Sequence, residues 1–228
     1  MISLSIVTCG LDYRDIEITL QSVSLFKRAN PHLVIEQIVV CPVLIPSDDR
    51  IDVSIIDDGK GIYSAFNLGI VNATSDYVQI LNAGDTLAEI NISTIDCDVD
   101  FHLFAINAGG DLQSPRLSRI KLLGSSLPHS GMWVKRKIYS VVGLYNIDIP
   151  IVADFIWIYR NYEFIERNCK IHDTTALVNF KLDGISSKFQ VIGAYFFGLK
   201  QVEKNLFKVI CFTTIKFFSY IKWKILKS

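Results

Sequence analysis

Two stretches of this sequence gather residue types that can do chemistry. One runs from Gly59 to Asp85 and reads GKGIYSAFNLGIVNATSDYVQILNAGD; the other runs from His129 through Asp154 to Arg160. Carboxylates such as Asp85 and Asp154 can hold a divalent cation, or take a proton from a hydroxyl. The same side chains can instead cap a turn, or sit in the first turn of a helix, where the dipole favours negative charge. Lys60 can meet a phosphate or a hydroxyl, or simply be solvated at a helix start. Tyr63 and Asn67 stand one helical turn apart and share a face, which either lines a pocket or packs. His129 is either a ligand contact or a hydrogen-bonded packing residue. Trp133 fits core packing better than sugar stacking. Spacing alone leaves these alternatives open.

The elements that must position these residues alternate between strand and helix. Residues 3–9 form an apolar run closed by Gly10, a buried strand, and Asp12 can cap a helix over 12–26. Further strands are expected over 36–41, 52–56 and 76–81, with a helix over 61–73 and a turn over 82–85. This alternation predicts a parallel, doubly wound α/β sheet, in which ligands bind beyond the carboxyl ends of the strands. Cys9, Cys41, Ile56 and Leu81 mark those ends. Beyond residue 95 the reading is a strand over 98–107, a turn at 109–111 and a second hairpin arm over 112–123. A strand or loop follows over 128–134, then helices over 137–142 and 152–165, and a strand over 170–180.

Half of the 228 residues are hydrophobic and the mean hydropathy is +0.33, enough for a sizeable core. The formal net charge is zero, yet residues 200–228 carry seven lysines and one glutamate, so the tail is basic and the body acidic. No basic stripe crosses the body, which excludes nucleic acid as a partner. Five cysteines with no CxxC spacing predict buried thiols in a reducing compartment, not a disulfide framework or a zinc site. Residues 1–11 lack a basic region and a cleavage site, so a strand is expected there and not a signal peptide. No run of 18 apolar residues predicts a membrane span.

The first stretch closely resembles the family 2 glycosyltransferases of the GT-A fold. Members show a DKGIYDAMNKGI-type helix, a GDYI-type strand and an acidic turn written DxDD or NAGD. Lys60, Gly61, Ile62, Tyr63, Ala65, Asn67, Gly69 and Ile70 fit the helix, and Leu81 to Asp85 fit the turn. The second stretch is similar to the family's HQxxFxRRxLYxxLGGYDxxFxIAADYDLLLR pattern, and Phe180 to Ser187 to its FxLGGxSS ending. The resemblance implies a GT-A domain over residues 1–190, with a Rossmann-like, mostly parallel sheet flanked by helices. It implies an inverting transfer of a sugar from a nucleotide sugar, UDP by default. Asp85 would hold a divalent cation (Mn2+ or Mg2+), and Asp154 would be the general base. Thr8, Asp58, Lys60, Tyr63, Asn67, Asn82 and His129 would bind substrate. The chain departs from the family after the second strand. Where members carry VDGGSTDGT, with an aspartate on the nucleotide base, it reads Val40-Cys-Pro-Val-Leu-Ile-Pro-Ser47. Backbone groups, Asp57 or Asp58 would have to replace that contact. The single carboxylate of the turn and this altered loop also suit an alternative: a non-catalytic family member serving as a scaffold in a polysaccharide complex. A nucleotidyltransferase fits less well, because the first loop has one glycine and no nearby lysine.

Residues 191–228 are expected to form a C-terminal amphipathic basic tail. At helical spacing Phe207, Ile210, Cys211, Phe217, Phe218, Ile221 and Ile225 cluster on one side, and Lys208, Lys216, Lys222, Lys224 and Lys227 on the other. That pattern predicts an interfacial anchor on the inner-leaflet membrane surface in preference to a helix docked on the body. The expectation is therefore a cytoplasmic, peripheral membrane enzyme acting on a lipid-linked saccharide acceptor in surface-polysaccharide synthesis (O-antigen, capsule or exopolysaccharide).

Overall fold

The computed structural model describes residues 2–93, 95–117, 127–181 and 191–227. Strand β1 (Ile2–Cys9) leads through the N-cap Asp12, whose side chain accepts from the Arg14 N–H, into helix α1 (Tyr13–Ala29). Then follow β2 (Leu33–Cys41), β3 (Val53–Ile56), α2 (Ile62–Asn72), β4 (Tyr77–Ile80), β5 (Thr86–Leu87), β6 (Phe101–Ala108) and β7 (Asp111–Gln113). A 3-10 turn (His129–Gly131) precedes β8 (Met132–Lys135), α3 (Arg136–Val142), α4 (Ala153–Arg160), α5 (Tyr162–Arg167) and β9 (Cys169–Phe180). Two helices end the chain, α6 (Val191–Val202) and α7 (Leu206–Lys227).

The sheet order is β3-β2-β1-β4-β8-β6-β9-β5, with β7 paired to β6. The first four strands are parallel, as the alternation predicts. The other half is mixed: β8 runs antiparallel to both β4 and β6, while β9 lies parallel to β6. The period-two pattern of β1 sets the two faces. Leu4 and Ile6 pack with Val23 and Phe26 of α1, and Val7 and Cys9 with Tyr63 and Phe66 of α2. Helix α2 lies so close to β1 that a Cβ on Gly69 would stand 2.1 Å from Val7 Cγ1. Only a glycine fits there.

Three local expectations change. The helix expected over 152–165 is two, because Asn161 closes α4 with φ −100° and its side-chain amide also donates to the Trp157 carbonyl. The hairpin arm expected over 112–123 is short within its described part, where β7 ends at Gln113; residues 118–123 and the motif over 182–187 lie outside the described residues. The tail is two helices, and it docks on the body. Leu199 and Val209 are fully buried, the Tyr195 ring meets Phe155 edge-on at 4.9 Å, and Phe212 meets Tyr159 at 5.9 Å. Lys216 therefore does not lie on a solvated face. It is 7% exposed, because the inward seam of α7 runs 209–212–216. All five cysteines are free, with Cys9 and Cys41 buried and Cys97 exposed.

Candidate functional site

The carboxyl end of β4 and the amino end of β8 meet at one rim, since the two strands run in opposite directions. A residue following β4 and a residue preceding β8 thus become neighbours. Asn82 Nδ2 lies 3.3 Å from His129 Nε2. His129 Nδ1 in turn lies 2.9 Å from Asp154 Oδ2, and the Tyr63 hydroxyl donates to Asp154 Oδ1 at 2.7 Å. Four residues singled out in the sequence, from four separate elements, form one chain of polar contacts: Tyr63, Asp154, His129 and Asn82. Ile151 enters this region at φ +72°, a left-handed conformation that costs a β-branched residue about 1–2 kcal/mol. The chain bears that strain three residues before Asp154.

The contacts decide the charges. Burial pushes the Asp154 carboxyl up, but the hydrogen bond and charge of His129, with the Tyr63 hydroxyl, outweigh it and hold the group below the usual carboxylate range. Burial pulls His129 down, yet the hydrogen bond and charge of Asp154, with the field of Asp85 behind, leave it above the usual histidine value. Burial and the Asp154 charge drive the Tyr63 phenol far up, so it stays a donor. The result is an ionised carboxylate held by two donors. Its side chain is 18% exposed and that of His129 15%, so ligands can reach both. Each carboxylate oxygen has a further lone pair available to a third donor.

Asp85 sits on the turn beside this network. It is 2% exposed, and its Oδ1 accepts from the Lys181 N–H at 2.8 Å. The turn is clamped to the start of α1: Gly84, at φ +92°, donates to the Asp15 carbonyl and to Thr19 Oγ1. Asn82 Oδ1 is buried and has no hydrogen-bond partner among the described residues. No group of three metal-ligating His, Cys, Asp or Glu residues occurs among the described residues. A hard cation that binds substrate phosphates needs only one or two protein oxygens, with the phosphates and water filling its shell. The Asp85 carboxylate and Asn82 Oδ1 fit that requirement.

The other sequence-derived residues lie elsewhere. Thr8, next to last in β1, is fully buried and its hydroxyl accepts from Gln37 Nε2 at 2.9 Å. Asn67 spends both amide atoms on the backbone of Tyr145, at 2.8 and 3.1 Å, and so fastens a loop. Asp58 pairs with Lys60 at 2.7 Å and accepts from Ser64 in the first turn of α2. That pairing lowers the Asp58 pKa and raises that of Lys60. Trp133 is core, its indole donating to Gln79 Oε1. The loop after β2 is braced by Arg50, which bonds both Glu17 and Asp48. Lys216 escaped sequence reading, because a lysine among aromatic residues reads as the wet side of an amphipathic helix.

No family model and no curated protein sequence matches the chain. Solved structures do match its fold. The S. aureus TarS 1-349 structure in complex with UDP-GlcNAc aligns with 97% of this chain and 73% of its own, at 11% identity and a TM-score of 0.63. TarS 1-349 in complex with UDP aligns with 95% of this chain and 71% of its own, at 10% identity and a TM-score of 0.62. The mannosyltransferase PcManGT from Pyrobaculum calidifontis, in complex with GDP-Man and Mn2+, aligns with 89% of this chain and 64% of its own, at 11% identity and a TM-score of 0.61. The fold is that of GT-A glycosyltransferases.

Proposed function

We propose that the chain is a glycosyltransferase that moves a sugar from a nucleotide sugar, UDP-linked by default, to a hydroxyl of a lipid-linked saccharide during surface-polysaccharide assembly. The observation that carries this reading is the Tyr63–Asp154–His129–Asn82 network at the rim where a GT-A fold binds its donor. In a single displacement with inversion, the acceptor oxygen forms its bond to the anomeric carbon as the bond from that carbon to the diphosphate oxygen breaks. Asp154, kept ionised by its neighbours, takes the acceptor proton as that oxygen becomes acidic in the transition state. Tyr63 and His129 hold the carboxylate in place. Asp85 and Asn82 Oδ1 would hold a divalent cation, Mn2+ or Mg2+, which neutralises charge on the departing diphosphate when bound. Lys60, largely exposed at the head of α2, stands where a phosphate or sugar hydroxyl can take it from Asp58.

The tail supports the membrane part of this reading. Phe207 is 75% exposed and Phe218 64%, and Phe197, Leu206 and Ile210 are also uncovered. Exposed lysines 200, 204 and 208 flank them, which suits an anionic bilayer surface. Among the described residues no helix is long and apolar enough to cross a membrane. We place the protein at the cytoplasmic face of the inner membrane.

Thermal unfolding with UDP, GDP, dTDP and CMP, each with and without Mn2+, tests the donor reading. A ligand at a hundred times its dissociation constant stabilises the fold by about 2.7 kcal/mol. A shift with one nucleotide that depends on metal and is lost in Asp85→Ala is the expected result. No shift with any of the four favours the scaffold alternative.

A further inference from the structure

Lys216 is the least expected side chain of the molecule. It belongs to the tail, yet it is buried on the body, with Nζ 4.6 Å from the Phe155 ring centroid and 4.8 Å from that of Tyr195. It makes no ion pair or hydrogen bond among the described residues. Two aromatic faces soften the loss of water around an ammonium but do not replace a counter-ion. Burial pulls its pKa to about 8, and the charge of Asp154, adjacent in sequence to Phe155, opposes that shift. Asp154 stays ionised but is already bonded by His129 and Tyr63, so it is not a dedicated partner for Lys216. A nearly unpartnered cation therefore waits beside the proposed base, on the helix whose outer face is apolar and uncovered.

We infer that Lys216, caged by Phe155 and Tyr195, is the cation of a phosphate-binding site next to Asp154, filled by a phosphate ester of one of the two substrates. The inference rests on the transferase reading above. Position favours the acceptor. Asp154 faces the attacking hydroxyl, and a helix lying on the bilayer brings a lipid-borne phosphate to that side. A donor diphosphate is the other source of the same chemistry. The tail helix is then a working wall of the site as well as an anchor, and it is held most firmly when the phosphate is present.

The test compares the full-length wild type with Lys216→Met and Lys216→Gln, using UDP and farnesyl phosphate as probes and farnesol as the uncharged control. Without ligand, Lys216→Met should unfold at or above the wild-type temperature, because it removes a buried charge without opening a cavity. Wild type should bind farnesyl phosphate more tightly than farnesol, and both variants should lose about tenfold of that affinity, the equivalent of one charge-assisted hydrogen bond, while UDP binding is unchanged. A loss confined to UDP assigns the same site to the donor diphosphate. Unchanged affinity for both probes in two folded variants overturns the inference and leaves the transferase reading standing. A wild type that binds neither UDP nor farnesyl phosphate overturns both.

Discussion

Asp154 sets the terms at the scale of single residues. If it removes the acceptor proton, Asp154→Asn should lower transfer by about 10²–10⁴-fold, the usual contribution of a positioned base. Donor-induced stabilisation should survive, because the substitution leaves the β4 turn alone. Initial rates of nucleotide release beside thermal shifts check this; a variant that keeps near-normal turnover would falsify the assignment. The residues of this network were legible one by one, since each falls on a motif position. Their contacts were not. Nothing in the spacing says that β8 runs backwards against β4, and that reversal is what brings His129 to Asn82. Thr8 and Asn67 show how partners stay hidden in a sequence. They sit at motif positions but spend their polar atoms on Gln37 and on the Tyr145 backbone. A buried polar side chain must find partners wherever it lies, and sequence does not distinguish a structural partner from a substrate.

Among the elements, helix α7 was the hardest to read and makes the sharpest prediction. Its apolar residues run around much of its circumference, so spacing alone favoured an interfacial helix over a docked one and put Lys216 on the solvated side. The pH dependence of stability should expose the error. Lys216 has a folded pKa of about 8 against an ordinary value of 10.5. Between those values the unfolded chain holds more protons at this site, so its contribution to stability rises with pH there. Below about pH 8 both states are charged and the penalty is full; above about 10.5 neither is, and the penalty is gone. Raised tyrosine values at Tyr77 and Tyr139 pull the total the other way as unfolded phenols ionise. The comparison is therefore a difference: wild type should gain on Lys216→Met as pH climbs from 8 towards 10 in urea titrations. Parallel curves would mean that Lys216 is solvated. The α1, α2 and β1–β4 elements were legible because strong alternation, a side-chain cap and the close-packed Gly69 all agree. The break at Asn161 was not, since one amide competing for a backbone carbonyl leaves no periodic trace.

For the whole molecule, the question is which way it faces. An acidic body and a basic tail with uncovered aromatic side chains give it a polarity that net charge conceals. Full-length protein should co-sediment with vesicles rich in anionic lipid and lose most of that binding at high salt, as screened lysines do. Replacing Phe207, Ile210 and Phe218 together by serine should abolish binding with little loss of stability, because all three are already exposed. Equal sedimentation with neutral vesicles would count against the electrostatic part, and a large drop in stability would show that these side chains are covered. The GT-A fold was recognisable from the motifs. The mixed half of the sheet was not, because strand direction there depends on crossovers that no local pattern encodes. The Asn67 clamp has a consequence on a different clock. The Tyr145 amide lies outside every strand and helix, yet it donates to Asn67 Oδ1 at 3.1 Å beneath a buried ring. In deuterated buffer it should exchange as slowly as the amides of β1, through opening of the core as a whole, so that α2 and the loop leading to Asp154 breathe together or not at all.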